Sequence, residues 1–322
     1  MQGLVTVFGG SGFLGAQAVR ALAKRGYRVR VAVRRPGHAY RLRMLGDVGQ
    51  IEIVQANIRA PASVARALVG AQACVNMVGA LYESGRQKFQ SLHAMGAQNI
   101  AEAAAAAGVA RLIHVSAIGA DARSTSKYAR TKAMGEDAAR AAFPGATVLR
   151  PSIVFGRDDS FFNRFGQMAT LSPVLPLIGG GETRFQPVFV GDVAAAVANA
   201  IGDPATTGQT YELGGPAVYS FRALMELILR ETGRKRLLVP IPFAIARAIG
   251  IAAEIPSAIV PIAPFLTQDQ VELLRTDNVV APGAQGLAAL GVEPTAVEAI
   301  TPSYLFRYRK GGQYAEALAS GV

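Results

Sequence analysis

The chain has 322 residues, of which 51% are hydrophobic and 17% are charged, and its formal net charge is +11. This length can bury a large core in one or two domains, and the composition excludes a disordered protein. The positive charge indicates an acidic neighbour: nucleic acid, an anionic membrane surface or an acidic protein. Nucleic acid is disfavoured, because the basic residues do not cluster with aromatic residues and no nucleic-acid-binding motif occurs.

The single cysteine, Cys74, lies inside a predicted strand. A disulfide framework is therefore excluded, and a reducing compartment is expected. The first predicted strand begins within the first few residues, so we expect neither a signal peptide nor a transit sequence. No metal ligand set is predicted.

The first strand, Leu4–Phe8, is apolar and β-prone, as in a buried parallel sheet. The glycines that follow it allow a tight turn and close approach of the backbone to a pyrophosphate. A helix from about Phe13 to Arg25 directs its free N–H groups to the same phosphates. A turn that binds nothing is the alternative, but the position between strand and helix favours dinucleotide binding. The predicted contacts are Gly9, Ser11, Gly12, Phe13, Leu14 and Gly15.

The second strand, Tyr27–Val33, ends at the adjacent pair Arg34 and Arg35, with no carboxylate nearby. An NAD site usually has Asp or Glu at this place to bind the adenosine ribose. Two guanidinium groups instead suit a 2′-phosphate. A solvated basic surface explains Arg28 and Arg30 better than it explains the adjacent pair. The sequence therefore predicts NADPH as the cofactor.

Strands and helices continue to alternate, which predicts an α/β fold with a Rossmann-like doubly wound parallel sheet. Further strands are predicted at 51–54, 73–78, 111–115 and 147–150, with Ala-rich helices at 93–107 and 131–142. The ligand crevice of such a fold lies beyond the carboxyl ends of the strands. The expected cofactor contacts at those ends are Asn57, Ile58, Val78, Gly79, Ser116, Pro151 and Ile153.

The composition changes after residue 150, where many prolines divide the chain into short predicted elements. We assign residues 1–150 to an NADP(H)-binding domain. Residues 151–322 are assigned to a smaller, partly interleaved α/β domain that closes the crevice and docks to a partner. Asp192 is predicted to be the N-cap of a helix over Val193–Ile201.

The most apolar stretch is Leu237–Leu266, which five prolines interrupt. A straight membrane-spanning helix is therefore disfavoured. Two interpretations stay open. The stretch is either core of the second domain or an exposed apolar surface that faces lipid or a membrane-embedded partner.

Tyr128 and Lys132 form a Tyr-x-x-x-Lys pair, with N-cap candidates for a helix at Ser124 to Ser126. On a helix the two side chains share one face. A nearby ammonium should lower the pKa of the Tyr128 phenol and fit it for proton exchange with a carbonyl or an alcohol. Lys132 can also bind the hydroxyls of the nicotinamide ribose.

These features together resemble the extended and atypical short-chain dehydrogenases/reductases over nearly the whole chain. The resemblance implies cofactor contacts by Tyr128 and Lys132 and an adenine contact by Asn57, where family members usually carry Asp. Active members place a Ser or Thr slightly beyond the fifth strand, whereas here Ser116 ends the strand and Ile118 occupies that place. Tyr128, Lys132 and Ser116 are thus candidate catalytic residues of a vestigial site, in which Ser124 or Ser126 is left as a substitute hydroxyl.

A narrower resemblance is to the NADPH-binding accessory subunits of the alpha subcomplex of respiratory complex I, in a bacterial version. The segments that carry it are 8–15, 113–116, 126–136 and 153–163. It implies a structural NADPH without turnover and docking near the quinone-reaction end of the peripheral arm. The implied partners are other complex I subunits, with the C-terminal domain contacting the membrane surface or membrane-embedded subunits. The implied location is peripheral, on the cytoplasmic side of the bacterial inner membrane.

The alternative function is a free-standing NADPH-dependent reductase or a sugar-nucleotide epimerase/dehydratase that uses Tyr128 and Lys132. Its substrate would be a sugar nucleotide, a flavonoid-like compound or a quinone. Ile118, the short segment before Tyr128 and the narrower motif match favour the non-catalytic subunit. A third hypothesis, a redox-sensing regulatory protein of the same fold, is not specifically supported by any feature of the sequence.

Overall fold

The predicted alternation of strands and helices is present in the computed structural model, which describes residues 2–259 and 264–312. The strands are β1 Gln2–Phe8, β2 Tyr27–Val33, β3 Ile51–Gln55, β4 Ala73–Asn76, β5 Arg111–Val115, β6 Thr147–Pro151, β7 Val154–Phe155, β8 Val174–Ile178, β9 Arg184–Phe185, β10 Val188–Phe189, β11 Thr210–Leu213, β12 Tyr219–Ser220 and β13 Leu237–Ile241. The helices are α1 Phe13–Lys24, α2 Pro61–Leu68, α3 Met95–Ala106, α4 Lys127–Ala142, α5 Phe162–Leu171, α6 Val190–Gly202, α7 Phe221–Glu231, α8 Phe243–Ile259, α9 Gln268–Leu273, α10 Val297–Ile300 and α11 Pro302–Leu305.

The central sheet has seven parallel strands in the order β11-β6-β5-β4-β1-β2-β3. This arrangement confirms the predicted α/β doubly wound fold. Apolar strand residues such as Val5, Val7, Val29 and Val31 are fully buried, because helices cover the sheet. The strand order reverses between β1 and β4, which opens a crevice at their carboxyl ends.

Most predicted boundaries agree with the structure to within a few residues. Helix α4 begins at Lys127 because Ser126 caps it, its side chain accepting a hydrogen bond from the backbone N–H of Ala129. Strand β4 ends at Asn76, two residues earlier than predicted. Strand β11 was not predicted; it pairs with β6 and completes one edge of the sheet.

The prediction for Asp192 is wrong. Helix α6 begins at Val190, so Asp192 lies inside its first turn and not at the N-cap. The Asp192 carboxylate accepts hydrogen bonds from the backbone N–H and the hydroxyl of Thr295, at 2.7 and 2.9 Å. The side chain therefore attaches a late segment of the chain to α6, which itself packs on α1.

A second core lies beside the sheet and is built largely from aromatic rings. Phe155, Phe162, Phe221 and Tyr304 are almost completely buried in it. Asn278 connects this region to the crevice, because its side-chain amide accepts from Ser152 and Ile153 and donates to the carbonyl of Ile118. The edge of the crevice is thereby held by residues distant in sequence.

The described part of the apolar stretch Leu237–Leu266 lies mainly at the surface. On helix α8, Ile245, Ile249 and Ile251 are 55, 40 and 46% exposed, whereas Ala246 faces inward. This favours the exposed apolar surface over the core interpretation; residues 260–263 of the stretch lie outside the described residues. None of the helices in the described ranges is long and apolar enough to cross a membrane.

Candidate dinucleotide site

The loop between β1 and α1 is shaped by glycine. Gly9 has a φ of +81°, and a Cβ on Gly15 would lie only 2.2 Å from the carbonyl oxygen of Gly9. Gly12 begins α1 without a side-chain cap, so no side chain accepts from the first N–H groups of the helix. The loop has the close backbone packing and the free donors that a pyrophosphate requires.

The two arginines that follow β2 are exposed. Within residues 2–259 and 264–312, neither Arg34 nor Arg35 makes an ion pair or a side-chain hydrogen bond. Arg30, by contrast, pairs with Glu52 at 2.8 Å. The structure thus leaves the predicted 2′-phosphate ligands available and neutralises a basic neighbour on the same strand.

The ends of β3, β4 and β5 bring several predicted contacts to the crevice. The Asn57 side chain accepts from the N–H of Arg59 in a tight turn, and Ile58 next to it is buried. A Cβ on Gly79 would lie 3.9 Å from the Nζ of Lys132, so the segment that follows β4 meets α4 here. The remaining predicted contacts, at Val78, Pro151 and Ile153, lie just beyond or at the ends of β4 and β6.

Ser116 lies directly after β5 and is buried. Its hydroxyl has no hydrogen-bond partner within the described part of the chain. A buried hydroxyl without a partner is energetically costly unless a ligand or a water supplies the missing hydrogen bond. The position of Ser116 in the structure is therefore compatible with the predicted cofactor contact, for a reason that the sequence alone did not give.

Lys132 is buried one turn into α4, and its Nζ donates to the carbonyl oxygen of Val115 at 3.0 Å. Burial lowers the pKa of Lys132 to about 8, partly opposed by the negative charge of Glu136. The Lys132 ammonium is thus directed to the end of β5, next to Ser116. This position suits a contact with the ribose hydroxyls of a dinucleotide.

The expected activation of Tyr128 is not found. The pKa of its phenol is raised to about 12, first by burial and then by the negative charge of Asp269. The nearby Lys132 does not reverse this, because it is itself desolvated and bonds to Val115. The expectation of a lowered pKa was therefore wrong.

The candidate substitute hydroxyls are already engaged. The Ser126 hydroxyl donates to Asp269 at 2.8 Å and accepts from Ala129, while the Ser124 hydroxyl accepts from the N–H of Ser126. Ile118, which the resemblance placed where active family members carry a hydroxyl, is buried. Among the buried hydroxyls of the described ranges, that of Ser116 has no hydrogen-bond partner.

Sequence reasoning missed a buried histidine beneath Tyr128. The Nε2 of His93 accepts from the N–H of Ala80, and its Nδ1 lies 3.1 Å from the hydroxyl of Thr131. Burial, followed by the charge of Lys132, lowers the pKa of His93 to about 3, so the ring is neutral at physiological pH. A single histidine in an apolar helix carries no pattern that reveals this position.

Sequence reasoning also missed Asp269, which reaches the site from α9. Its carboxylate accepts from the hydroxyl of Ser126 and from the N–H groups of Lys127 and Tyr128, at 2.8, 2.6 and 3.1 Å. A carboxylate at a helix N-terminus accepts hydrogen bonds from the free N–H groups and interacts favourably with the positive end of the helix dipole. A residue of α9 therefore fixes the first turn of the helix that carries Tyr128 and Lys132.

A cleft of about 700 Å³ opens beside the start of α4. It is lined by the segment 82–89, by Lys127 and Arg130 of α4, and by residues of α8 and α9. Its basic and acidic side chains are equal in number, four of each, namely Lys88, Lys127, Arg130 and Arg247 against Glu83, Glu254, Asp269 and Glu272. The cleft offers room for a molecule next to the dinucleotide site without selecting one sign of charge.

Comparison with known proteins agrees with this geometry. A model of the NAD dependent epimerase/dehydratase family matches residues 5–214. The mitochondrial NADH dehydrogenase (ubiquinone) 1 alpha subcomplex subunit 9 of Arabidopsis thaliana is 36% identical over 96% of this chain and 79% of that protein. The ceramide reductase of Caulobacter vibrioides is 38% identical, but over 60% of this chain and 59% of that protein.

Among solved structures, the NADPH-dependent quinone oxidoreductase of Escherichia coli complexed with NADPH is similar, with a TM-score of 0.74. The alignment covers 94% of this chain and 99% of the other at 22% identity. At this identity the likeness supports the fold and not the function.

Proposed function

The chain belongs to the NAD dependent epimerase/dehydratase family, and we propose that it is an NADPH-binding accessory subunit of NADH:quinone oxidoreductase without independent catalysis. The observation that carries the proposal is the match to the alpha subcomplex subunit 9, which extends over 96% of the chain. The subunit would bind other complex I subunits peripherally, near the quinone-reaction end of the peripheral arm. In a bacterium this location is on the cytoplasmic side of the inner membrane.

The proposed nucleotide is NADPH. The glycine loop and the uncapped start of α1 suit its pyrophosphate. Arg34 and Arg35, which have no counter-ions among the described residues, suit its 2′-phosphate. The nicotinamide would supply hydride chemistry in an active relative; here Ser116 and Lys132 would hold its ribose.

The absence of independent catalysis is supported by the surroundings of Tyr128. A general acid works best when its pKa lies near the working pH, and burial and Asp269 move the pKa of Tyr128 to about 12. Ile118 removes the hydroxyl that would orient a carbonyl. The nucleotide then has a structural role, stabilising the folded subunit by mass action.

The proposed docking surface is the exposed side of α8, where Ile245 and Ile249 lie one turn apart and Ile251 lies at the flank. Apolar side chains exposed together on one helix indicate a surface that an assembly covers. The net charge of +11 suits the anionic membrane surface near this site.

The test is extraction of native membranes with a mild detergent, followed by separation of intact complexes. The chain should co-migrate with NADH:quinone oxidoreductase activity, and acid extraction of that band should release NADPH. Recovery of the chain only as a free protein, with full activity migrating elsewhere, would contradict the proposal.

The second candidate is an NADPH-dependent reductase or a sugar-nucleotide epimerase/dehydratase that uses Tyr128 and Lys132. The similarity to ceramide reductase and the cleft beside α4 favour it specifically. The isolated protein would then oxidise NADPH in the presence of a carbonyl substrate such as a ceramide precursor or a quinone. Abolition of that turnover by Tyr128→Phe would establish the enzyme.

A further inference from the structure

The short helix α9 contacts both the dinucleotide site and the exposed helix α8. Towards the site, Asp269 accepts three hydrogen bonds from the start of α4, and Glu272 accepts one from Thr125 at 2.8 Å. Lys132 follows Tyr128 by one helical turn. Any displacement of α9 therefore acts on the helix turn that determines the position of Lys132.

On its other side, α9 is closely packed against α8. A Cβ on Gly250 would lie 2.9 Å from the backbone nitrogen of Gln268, so the helices are in backbone contact. The same N–H of Gln268 donates to Glu254 at 2.8 Å. Ala246 of α8 and Val271 of α9 also share a small buried cluster.

We propose that Asp269 is a positioning residue of the dinucleotide site and that, through α9, nucleotide binding is energetically linked to the exposed face of α8. The inference rests on the proposed NADPH binding. When Lys132 binds the nucleotide, the start of α4 becomes fixed, and with it the three groups that donate to Asp269. Because Asp269 belongs to α9, the contact between α9 and Gly250 becomes fixed as well. Linkage is reciprocal, so a partner that covers α8 favours the nucleotide by the same factor.

The structure offers two places to break this connection. Asp269→Asn removes the charge at the start of α4 with little change in side-chain size. Gly250→Ala leaves α4 intact but places a methyl group against the backbone of Gln268. Asp203→Asn is the matched control, because Asp203 also caps a helical turn, at Pro204–Thr206, but has no contact with α4.

The experiment measures amide hydrogen exchange of the isolated full-length protein with and without saturating NADPH. In the parent protein, NADPH should slow exchange at least threefold in peptides from α1 and α4 and also in those covering 243–254 and 268–273. In Asp269→Asn, affinity for NADPH should fall at least fivefold, the lower end of typical couplings, and the slowing in 243–254 should disappear. Asp269→Glu, which retains a carboxylate, should restore part of it.

Gly250→Ala forces α8 and α9 apart, so it should lose the slowing in 243–254 and weaken NADPH binding less than Asp269→Asn does, because Asp269 keeps its carboxylate. Asp203→Asn should behave as the parent. Equal protection of 243–254 in the parent and in Gly250→Ala would overturn the inference even if Asp269→Asn fails to fold. So would an absence of protection in the parent when NADPH binds, an outcome that leaves the proposed function standing. A parent protein that does not bind NADPH refutes both.

Discussion

Two regions of the molecule are left incomplete by the fold, in chemically opposite ways. At the crevice, the first N–H groups of α1, the guanidinium groups of Arg34 and Arg35 and the hydroxyl of Ser116 lack protein acceptors among the described residues. On α8, isoleucine side chains lack apolar cover. Unused hydrogen-bonding capacity indicates a charged small molecule, whereas uncovered apolar area indicates a large partner. The crevice is thus suited to a small ligand, and the exposed side of α8 to a larger binding partner.

The largest effect is expected when charges are introduced on the exposed apolar side of α8. Ile245→Asp with Ile249→Asp removes two side chains whose burial contributes about 1.5–3 kcal/mol each, so docking should weaken by roughly 3 kcal/mol or more. Co-migration with the oxidoreductase should be lost while NADPH binding and melting temperature persist. The contrasting variant is Ala246→Asp at a buried position, which should unfold the region. A collapse in melting temperature for the exposed pair as well would show that this surface is ordinary core.

The polar side is tested by neutralising both arginines at the end of β2. Arg34→Gln with Arg35→Gln should weaken NADPH binding by more than ~1.5 kcal/mol and alter NADH binding little, because charge-assisted bonds to the 2′-phosphate are lost. Titration of both nucleotides by fluorescence measures the difference. Equal weakening of the two would mean that the pair does not contact a 2′-phosphate. Arg28→Gln, an exposed change on the same strand, is the control.

The pH dependence of NADPH binding tests whether the charged form of Lys132 contacts the nucleotide. The pKa of its ammonium is lowered from 10.5 to about 8, so NADPH, which favours the charged form, should bind fully below that pH and more weakly above it. Between pH 8 and 9 we expect a loss of about 1 kcal/mol, somewhat less than the 1.36 kcal/mol of a full pKa unit. In Lys132→Gln the affinity should be lower and independent of pH in this range.

The free protein should respond to pH in the opposite direction. Between pH 8 and 10.5 the unfolded chain holds the Lys132 proton more tightly than the folded one, so this group makes the free energy of unfolding rise with pH. Denaturant titrations of the parent and Lys132→Gln would separate this contribution. A parallel fall in stability and affinity would show that global unfolding, not Lys132, limits binding.

The smallest effect is expected for Tyr128→Phe, which removes a hydroxyl whose pKa of about 12 keeps it protonated. The ring retains its edge contact with His93 at 5.3 Å between centroids. Assembly, quinone reduction and NADPH binding should each change by less than ~0.5 kcal/mol, as for a substitution outside the strongly destabilising classes. Loss of an NADPH-dependent carbonyl reduction in this variant would instead establish the reductase.

Features encoded by neighbouring residues were predictable from the sequence. The glycine loop, the limits of β2 and the N-cap at Ser126 each depend on a few adjacent positions whose chemistry is specific. The doubly wound parallel sheet could be anticipated because strands and helices alternate along the chain. The same local information misassigned Asp192, since the helix start depends on how β10 enters α6.

Features that depend on distant parts of the chain were not predictable. Asp269 reaches α4 across about 140 residues, and nothing around it in sequence distinguishes it from any first-turn carboxylate. Strand β11 has only four residues, Thr210–Leu213, at a sheet edge where the apolar pattern is weak. The raised pKa of Tyr128 follows from burial and from Asp269, both of which require the folded chain.

The packing of α6 on α1, and of β11 beside β6, has a consequence for how the protein is made. The helix that follows the glycine loop is covered by residues that leave the ribosome about 180 positions later, and the sheet edge closes only with Leu213. The first 150 residues therefore expose an apolar helix face and an unpaired strand throughout that interval. We therefore expect the central sheet to finish folding late during synthesis, and a nascent chain stalled before residue 213 to engage chaperones.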